Sequence, residues 1–345
     1  MIAGHNLKSV WDSQQGATGE RDHLEVNGRS IFHYSAFGRV VETDIALSGV
    51  SACSPSPANL RISRTCTEPR SVGDMVFESE DGNGGVNFRL YLHEHEYAWL
   101  DGLKGAFSIS RTGNSVRWHA PQGPSADLVA TLSGPVLGFA LQLQGLVALH
   151  GSAASWEGLG FGVLAPSGYG KSTLVSVLLR RGCFFLSDDV LALERSEAKA
   201  VILPSFRRLK LWPDSLQNLF PDGGWMSFGK WSSDTEKRIL PADDLGEVCD
   251  GESCLTALFV LVPVDAQSEA RAVRLSGMEE LVAVLSNSYQ AHLLVRETAL
   301  VSARMDFLGD VIQKVPVYAL ACPRSLSRLN DIVDSLLARL VEDLR

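Results

Sequence analysis

The sequence has little of several features that mark common protein classes. Its six cysteines include no Cys-x-x-Cys pair, so neither a zinc ribbon nor a dense disulfide framework is indicated. Basic residues do not predominate, because 31 Lys and Arg stand against 40 Asp and Glu, which gives a formal net charge of −9. A protein that binds duplex nucleic acid usually carries a basic footprint, so we expect no nucleic-acid partner.

Signals for secretion or membrane insertion are also lacking. The first 22 residues are polar and charged, without the apolar core of a signal peptide. Residues 128–149 carry no charge, but Gly134-Pro135, Gln142 and Gln144 interrupt them. We interpret this stretch as a buried helix followed by a strand, and not as a membrane span. The expectation is a cytoplasmic protein with reduced thiols and no membrane partner.

What is present is concentrated in residues 161–189. A short apolar run (161–164) leads into the sequence APSGYGKS (165–172), which precedes a helical pattern over residues 173–181. A second apolar run (183–186) ends at Asp188 and Asp189. Strand, glycine loop, helix, strand and acid is the context that predicts a nucleotide-phosphate site.

The glycine loop has the chemistry to hold phosphate groups. Gly168 and Gly170 permit backbone torsions that let successive N–H groups point into one concavity. Lys171 should reach the β- and γ-phosphates of ATP, and the Ser172 hydroxyl should ligate Mg²⁺. The usual motif opens with Gly, whereas this loop opens with the small residue Ala165. The candidate nucleotide-binding residues are Ser167, Gly168, Tyr169, Gly170, Lys171, Ser172 and Thr173.

The acid pair follows a strand at its carboxyl end, where open α/β sheets bind their ligands. One carboxylate could help Ser172 hold Mg²⁺, and another could accept a proton from an attacking hydroxyl. The candidate metal ligands are therefore Ser172, Asp188 and Asp189.

Two short basic stretches follow the acid pair. The first contains Arg207, Arg208 and Lys210, and could hold phosphate or an acidic peptide; a solvated turn is the alternative. The second contains Lys237 and Arg238, which are candidates to stabilise charge that develops during phosphoryl transfer.

Hydrophobic patterning divides the chain into two regions. Short alternating runs at 30–34, 39–45, 60–63, 86–92, 106–110 and 115–119 predict a mostly β accessory domain over residues 1–125, with the first 25 residues loosely structured. Helix and strand patterns alternate from residue 126 to 345, which predicts an α/β phosphate-loop domain. In it, residues 255–264 read as a central strand and residues 325–344 as a helix.

The region from His150 onward resembles the catalytic domain of the HPr kinase/phosphorylase family. The matching elements are His150-Gly151, Gly160-Phe-Gly-Val-Leu164, Pro166 to Ser172, Arg181-Gly182 and Asp188-Asp189. The resemblance implies an HPr kinase-like ATP-binding fold in which Asp188 is the catalytic base and His150 tunes it and places the phosphoryl group. It also implies that Lys171 and Ser172 bind phosphate and Mg²⁺.

The family's downstream I-E-x-R-G-x-G signature is missing here, and residues 204–213 (PSFRRLKLWP) stand in its place. This difference favours a kinase without phosphorylase activity. A closer resemblance is to the HPr-kinase-related proteins of ribosomal-peptide gene clusters, through Tyr34-Ser-Ala-Phe-Gly38, Gly134-Pro-Val-Leu-Gly138 and Leu211-Trp-Pro-Asp214. It implies an ATP- and Mg²⁺-dependent serine kinase acting on a peptide or protein, with the C-terminal serine of a lasso-peptide precursor as one candidate acceptor. The HPr kinases are hexamers, which leaves a homo-oligomer open.

Two other functions stay open on this scaffold. One is a kinase for a small molecule such as an amino acid or a sugar, and the other is a non-catalytic ATP sensor. His150 together with Asp188 favours chemistry over sensing, because a sensor needs no base.

Overall fold

A computed structural model describes residues 23–26, 29–80, 85–197 and 199–342 of the chain. Two large β-sheets with helices between and around them make a mixed α/β architecture. The predicted looseness of residues 1–25 falls outside the described residues, except at His23–Val26, which form the first strand.

The first sheet contains ten strands in the order β1-β2-β3-β5-β10-β9-β8-β7-β6, with β4 paired to β2. Its neighbouring strands are antiparallel except for the parallel pairs β3–β5 and β5–β10. The strands are β1 His23–Val26, β2 Arg29–Ala36, β3 Arg39–Thr43, β4 Ser51–Ala52, β5 Leu60–Arg64, β6 Asp74–Glu80, β7 Val86–His93, β8 Glu96–Asp101, β9 Gly105–Ser110 and β10 Ser115–His119.

The six runs that sequence patterning marked as strands correspond to β2, β3, β5, β7, β9 and β10. Patterning did not mark the short strands β1 and β4, and it missed β6 and β8 for two different reasons. In β8 three consecutive residues, Tyr97, Ala98 and Trp99, are all buried, so the strand shows no alternation. β6 is partly exposed along its whole length and carries three acidic residues, so its sequence is typical of a loop.

A helical layer lies against this sheet. α1 (Ala126–Thr131) and α2 (Leu137–Leu143) are joined by a π-helical turn, Leu132–Val136, that contains Pro135. Their apolar side chains share one hydrophobic cluster with the first sheet and with Val190, Leu203 and Phe206 of the second region. By length and composition the segment Ala126–Leu143 could cross a membrane, and 78% of it is buried inside the protein. The domain boundary at residues 125/126 and the absence of a membrane partner stay predictions.

The second sheet closes a circuit of paired strands. Its order is β12-β11-β14-β15-β18-β20-β19, and β18 also pairs with β12, so β12, β11, β14, β15 and β18 form a ring. β13 pairs with β11. The strands are β11 Val147–Trp156, β12 Leu159–Leu164, β13 Phe184–Ser187, β14 Val190–Ser196, β15 Lys199–Ile202, β18 Ser253–Val264, β19 Arg271–Arg274 and β20 Val317–Pro323.

Helices cover both faces of the second sheet. α3 (Lys171–Arg180) and α7 (Leu329–Glu342) pack on one face, and α6 (Thr298–Lys314) packs on the other, with α5 (Met278–Ser286) beside it. The predicted C-terminal helix and its apolar stripe are thus core elements. β12, β18 and β20 are mutually parallel, so their carboxyl ends meet at one edge. That edge carries the loop between β12 and α3.

An excursion between β15 and β18 completes this edge. It contains the hairpin of β16 (Arg208–Leu211) and β17 (Arg238–Pro241), with α4 (Pro213–Leu219) between them. Its apolar residues Leu209, Leu216 and Phe228 join the core beneath α3. The hairpin is therefore held beside the start of α3.

Candidate functional site

The glycine loop is an exposed turn between a buried strand and a helix. β12 ends at Leu164 and α3 begins at Lys171. Gly168 and Gly170 have φ of +85° and +87°, a conformation that side chains disfavour, and a Cβ at either would meet nothing within 4 Å. Glycine is therefore favoured at these two positions by the backbone torsion and not by crowding from neighbouring atoms. The amino terminus of α3 lies at the end of this loop, where the helix dipole favours an anion.

A cavity of about 510 Å³ surrounds this loop. Its volume is that of a typical small-molecule site. The seven candidate nucleotide-binding residues, Ser167, Gly168, Tyr169, Gly170, Lys171, Ser172 and Thr173, all line it. His150, Asp189 and Lys237 line it too. The structure thus gathers most of the sequence-predicted site residues around one opening.

Lys171 is folded back onto its own loop. Its Nζ donates to the carbonyl oxygens of Ala165 (2.6 Å) and Pro166 (3.0 Å) and lies 3.0 Å from His150 Nε2. Burial lowers the pKa of Lys171 to about 8, against the attraction of Asp188 and Asp189. The buried ammonium is therefore close to the loop but held by weak carbonyl partners that an anion can replace.

His150 sits between Lys171 and the acid pair. Its Nδ1 lies 3.2 Å from the Asp189 carbonyl oxygen and 3.6 Å from Asp189 Oδ1. Burial lowers the pKa of His150, the Lys171 charge lowers it further, and Asp189 opposes both. A neutral ring that accepts from Lys171 at Nε2 and donates at Nδ1 satisfies both contacts.

The two carboxylates of the acid pair face different surroundings. Asp188 Oδ1 accepts from the hydroxyls of Ser152 (2.6 Å) and Ser172 (2.7 Å), and its Oδ2 accepts from the Lys210 amide (3.0 Å). These donors fix the carboxylate against the first turn of α3. Asp188 is not part of the cavity lining, whereas Asp189 is.

Asp189 presents its carboxylate to the cavity from a left-handed backbone, with φ of +73°. Lys210 Nζ donates to its Oδ2 at 2.6 Å. Burial alone would raise the pKa of Asp189, but the charge and hydrogen bond of Lys210, with the charge of Lys171, outweigh it and bring that pKa down to about 2. Asp189 is thus an anion held between two positively charged or hydrogen-bonding groups.

The four basic candidates do not act together. Lys237 lines the cavity, with its Nζ 5.4 Å from the centre of the Trp212 ring. Arg207 pairs with Asp243 and Asp250, and Arg238 donates to the carbonyl oxygens of Met226 and Phe228. Neither Arg207 nor Arg238 lines the cavity.

Arg208 is buried, lies outside the cavity lining, and connects the two regions of the chain by hydrogen bonds. Its guanidinium donates to the Ser48 carbonyl and hydroxyl oxygens and to Ser133 Oγ. It also stacks between the rings of Phe206 and Trp231, at 4.5 and 4.7 Å from their centres. Burial lowers its pKa to about 10. Of the first basic stretch, only Lys210 reaches the cavity.

Sequence reasoning missed several residues of the site. Ser152 lies two residues after His150 on β11, so the period of a strand would have placed it on the same face. Trp212 and Asp214 line the cavity from the hairpin, and Arg324 lines it from the end of β20. The Leu211-Trp-Pro-Asp214 pattern contains Trp212 and Asp214 but assigns them no role in the site, and no local pattern marks Arg324. The topology of the sheet brings these residues to the loop.

Within the described ranges, three or more His, Cys, Asp or Glu residues nowhere gather as a metal cage. Mg²⁺ does not require one, since it commonly binds one or two carboxylates together with substrate phosphates. The adjacent oxygens of Ser172 and Asp188 match that donor set.

Comparisons with known proteins give little to add to this geometry. No protein-family model matches the sequence, and no curated protein matches it either. Among solved structures, the chain is similar to the Hpr(Ser) kinase/phosphatase from Coxiella burnetii, with 14% identity and a TM-score of 0.32 over 56% of this chain and 88% of that one.

Proposed function

We propose that this chain is an ATP-dependent kinase that transfers the γ-phosphate to a serine hydroxyl of a peptide or protein. One observation carries the proposal. The hydroxyl of Ser172, at the end of the glycine loop, lies 2.7 Å from the Asp188 carboxylate, beside a cavity that Lys171, His150 and Asp189 also line. Phosphoryl transfer needs a phosphate cradle, a cation site and a base in one place.

The loop supplies the cradle. In the proposal its N–H groups and Lys171 hold the phosphates, and Lys171 exchanges the Ala165 and Pro166 carbonyls for phosphate oxygens. Ser172 and the acid pair would hold Mg²⁺, which supplies neutralisation of phosphate charge when bound. Open space beside Gly168 and Gly170 leaves room for these oxygens.

The acid pair supplies the base. Asp188 accepts the serine proton in this proposal, held in position by Ser152 and the Lys210 amide. Neutral His150 contacts both the Lys171 ammonium and the Asp189 backbone carbonyl, and so fixes the position of one relative to the other. Lys210 and Lys237 add positive charge at the cavity, where negative charge would develop on the leaving phosphate oxygens during the transfer.

A peptide fits the opening better than a small acceptor. Trp212 and Tyr169 line the cavity with 43% and 45% of their surfaces exposed, and aromatic surface of this kind favours a partner that extends beyond the pocket. The resemblance to kinases of ribosomal-peptide clusters makes a precursor peptide with a C-terminal serine the first acceptor to try.

The test is mass spectrometry of serine-containing peptides, including ones that end in serine, after incubation with ATP and Mg²⁺. A gain of about 80 daltons on serine marks one transferred phosphoryl group. Asp188→Asn should abolish the gain, and Asp243→Asn, a carboxylate outside the cavity, should not.

The same assay separates the alternatives. Transfer that survives Asp188→Asn and is lost with Asp189→Asn would move the base role to Asp189. ATP binding without any labelled peptide would contradict peptide phosphorylation and leave a small acceptor or a sensor.

A further inference from the structure

Two buried glycines of the helical layer have no role in the function proposed above. Gly134 lies in the π-helical turn Leu132–Val136, and Gly138 lies in the first turn of α2. Glycine inside a helix lowers stability relative to alanine, and π-helical turns often lie beside functional sites. The atoms that surround each glycine show whether a neighbouring side chain requires it.

Gly138 leaves space for the ring of Tyr289. A Cβ at position 138 would lie 2.6 Å from Tyr289 Cε1, which is much closer than non-bonded carbon atoms approach one another. A Cβ at position 134 would have Trp231 Cζ2 as its nearest neighbour, at an ordinary van der Waals distance of 3.9 Å. Of these two glycines, Gly138 is therefore the one that crowding requires.

The Tyr289 ring connects this glycine to the candidate site. Only 8% of the residue is exposed, and the centre of its ring lies 6.0 Å from the centre of the His150 ring. Backbone hydrogen bonds fix Tyr289 beside β11, since its N–H donates to the Ala148 carbonyl oxygen at 3.0 Å. The His150 N–H likewise donates to the Asn287 carbonyl oxygen at 2.6 Å. Tyr289 thus fills the space between α2 and His150.

A buried arginine fixes α2 relative to β11. Arg304, on α6, donates to Gln142 Oε1 and to the Ala148 carbonyl oxygen, each at 2.9 Å. The Gln142 amide in turn donates to the Gly138 carbonyl oxygen at 3.2 Å. These hydrogen bonds hold the helix and the strand at a set distance, which determines the width of the space that the Tyr289 ring occupies.

We propose that Gly138 and Tyr289 are positioning residues that hold the His150 ring in place beside the glycine loop. The inference rests on the proposed kinase function and deepens it, because it identifies what holds His150 when phosphate is bound. In that state Lys171 turns from the loop carbonyls to the phosphates, so His150 has one hydrogen-bond partner fewer. The contact with the Tyr289 ring does not involve Lys171 and is kept in both states.

The first test measures the state of the His150 ring and needs no kinase activity. Nitrogen-15 NMR of the full-length protein reports which ring nitrogen of a neutral histidine carries the proton, and His150→Gln identifies the signal. Burial lowers the pKa of His150, so the ring is neutral at about pH 7. We expect the proton on Nδ1, because Nδ1 lies near the Asp189 carbonyl oxygen and Nε2 near Lys171.

Variants then test whether the ring contact sets this state. Gly138→Ala should displace the Tyr289 ring and give a mixture of the two His150 tautomers. Gly134→Ala is the matched control and should keep the proton on Nδ1, as should Tyr289→Phe, which retains the ring. An unchanged tautomer in Gly138→Ala would overturn the proposal. Should that variant fail to fold, Tyr289→Leu decides, with the same mixture expected and an unchanged tautomer contradicting the proposal.

The second test follows phosphate transfer to the serine peptide. We expect Gly138→Ala to lower kcat by about tenfold or more, because a small misplacement of a site residue slows reaction strongly. The KM for the peptide should stay within about twofold, since Gly138 and Tyr289 do not line the cavity. In a Tyr289→Leu background Gly138→Ala should have no further effect on kcat, and losses that add in full would contradict an effect that acts through the ring.

These outcomes separate the positioning role from the kinase activity. A protein in which Gly138→Ala changes the His150 tautomer and no serine is phosphorylated keeps the positioning role and loses the proposed activity. A protein that phosphorylates serine equally well with Gly138 or with alanine, and keeps the same tautomer, retains the activity and loses the positioning role.

Discussion

The two large sheets use their charged residues in opposite ways. On the first sheet, cations and anions pair across the surface, as Arg61 does with Glu42 and Arg89 with Glu78. At the carboxyl edge of the second sheet, Lys171, Lys210 and Asp189 are largely withdrawn from solvent around a cavity. Surface pairs contribute little energy, whereas buried charges cost energy unless something compensates them. The charges that are most informative about function are therefore those that the fold buries at a cost in desolvation energy.

The largest effect should come from the cavity. We expect Lys171→Ala to lower phosphate transfer by about 10²- to 10³-fold, because a cation that meets developing charge is removed from a preorganised site. Stability should not fall, since the variant no longer buries an ammonium. Transfer rates and thermal unfolding measure the two effects. Lys199→Ala, on the exposed start of β15, is the control, and equal losses of transfer in both variants would contradict the assignment.

Arg208 tests a buried charge that has structural partners. Arg208→Ala should destabilise the fold by about 3 kcal/mol, because it leaves a void between Phe206 and Trp231 and removes the donors to Ser48 and Ser133. Denaturant unfolding gives the value. Arg207→Ala, the neighbouring residue with exposed acidic partners, should cost under about 1 kcal/mol. Similar losses of unfolding free energy at the two positions would contradict a structural role for the buried contacts of Arg208.

A hydrogen bond between the two regions gives a pH-dependent test. The Tyr97 hydroxyl donates to Glu297 Oε1 at 2.7 Å, and burial together with this bond raises the pKa of Tyr97 above its usual 10.0. The folded state therefore keeps the Tyr97 proton more tightly than the unfolded chain does. The contribution of Tyr97 to the free energy of unfolding is therefore complete below about pH 10 and declines as the pH rises above that value.

Tyr97→Phe should cost about 1 kcal/mol at neutral pH through the lost hydrogen bond. The difference from the unchanged protein should shrink toward zero by about pH 11, because only the unchanged protein loses stability by this titration. Unfolding curves between these pH values check it. A difference that stays constant would show that Tyr97 keeps its ordinary pKa.

The smallest effect belongs to the surface pairs of the first sheet. Arg61 is 3.3 Å from Glu42, and its side chain is 67% exposed. A double-mutant cycle with Arg61→Ala and Glu42→Ala should give a coupling below about 0.5 kcal/mol that salt weakens further. A coupling several times larger would remove the contrast between the two sheets.

The local part of the site could be predicted from sequence because its elements are consecutive. Strand, loop, helix, strand and acid over residues 159–189 occur in the predicted order, and α3 begins two residues before the expected start. Propensity and glycine chemistry act within a few residues, which is the range that such patterns report.

The remaining part depends on contacts between distant segments. The basic stretch at 207–210 looked uniform, but strand β16 buries Arg208 against Ser48 and Ser133 while Lys210 reaches Asp189. These contacts join residues 21 to 160 positions apart, a separation that local sequence patterns do not report. Likewise, the apolar ends of β18 and β20 lie near the loop only because β18 pairs in parallel with β12 and β20 pairs in parallel with β18.

The backbone of Asp189 adopts a left-handed conformation. Its φ of +73° is a conformation that a glycine adopts freely and that side chains disfavour, Asp and Asn less than most. Of the six non-glycine residues with positive φ in the described part of the chain, Asp189 is the one that lines the cavity. The same combination, an ionisable side chain in a left-handed conformation beside a cavity, offers a criterion by which candidate functional sites can be sought in other folds.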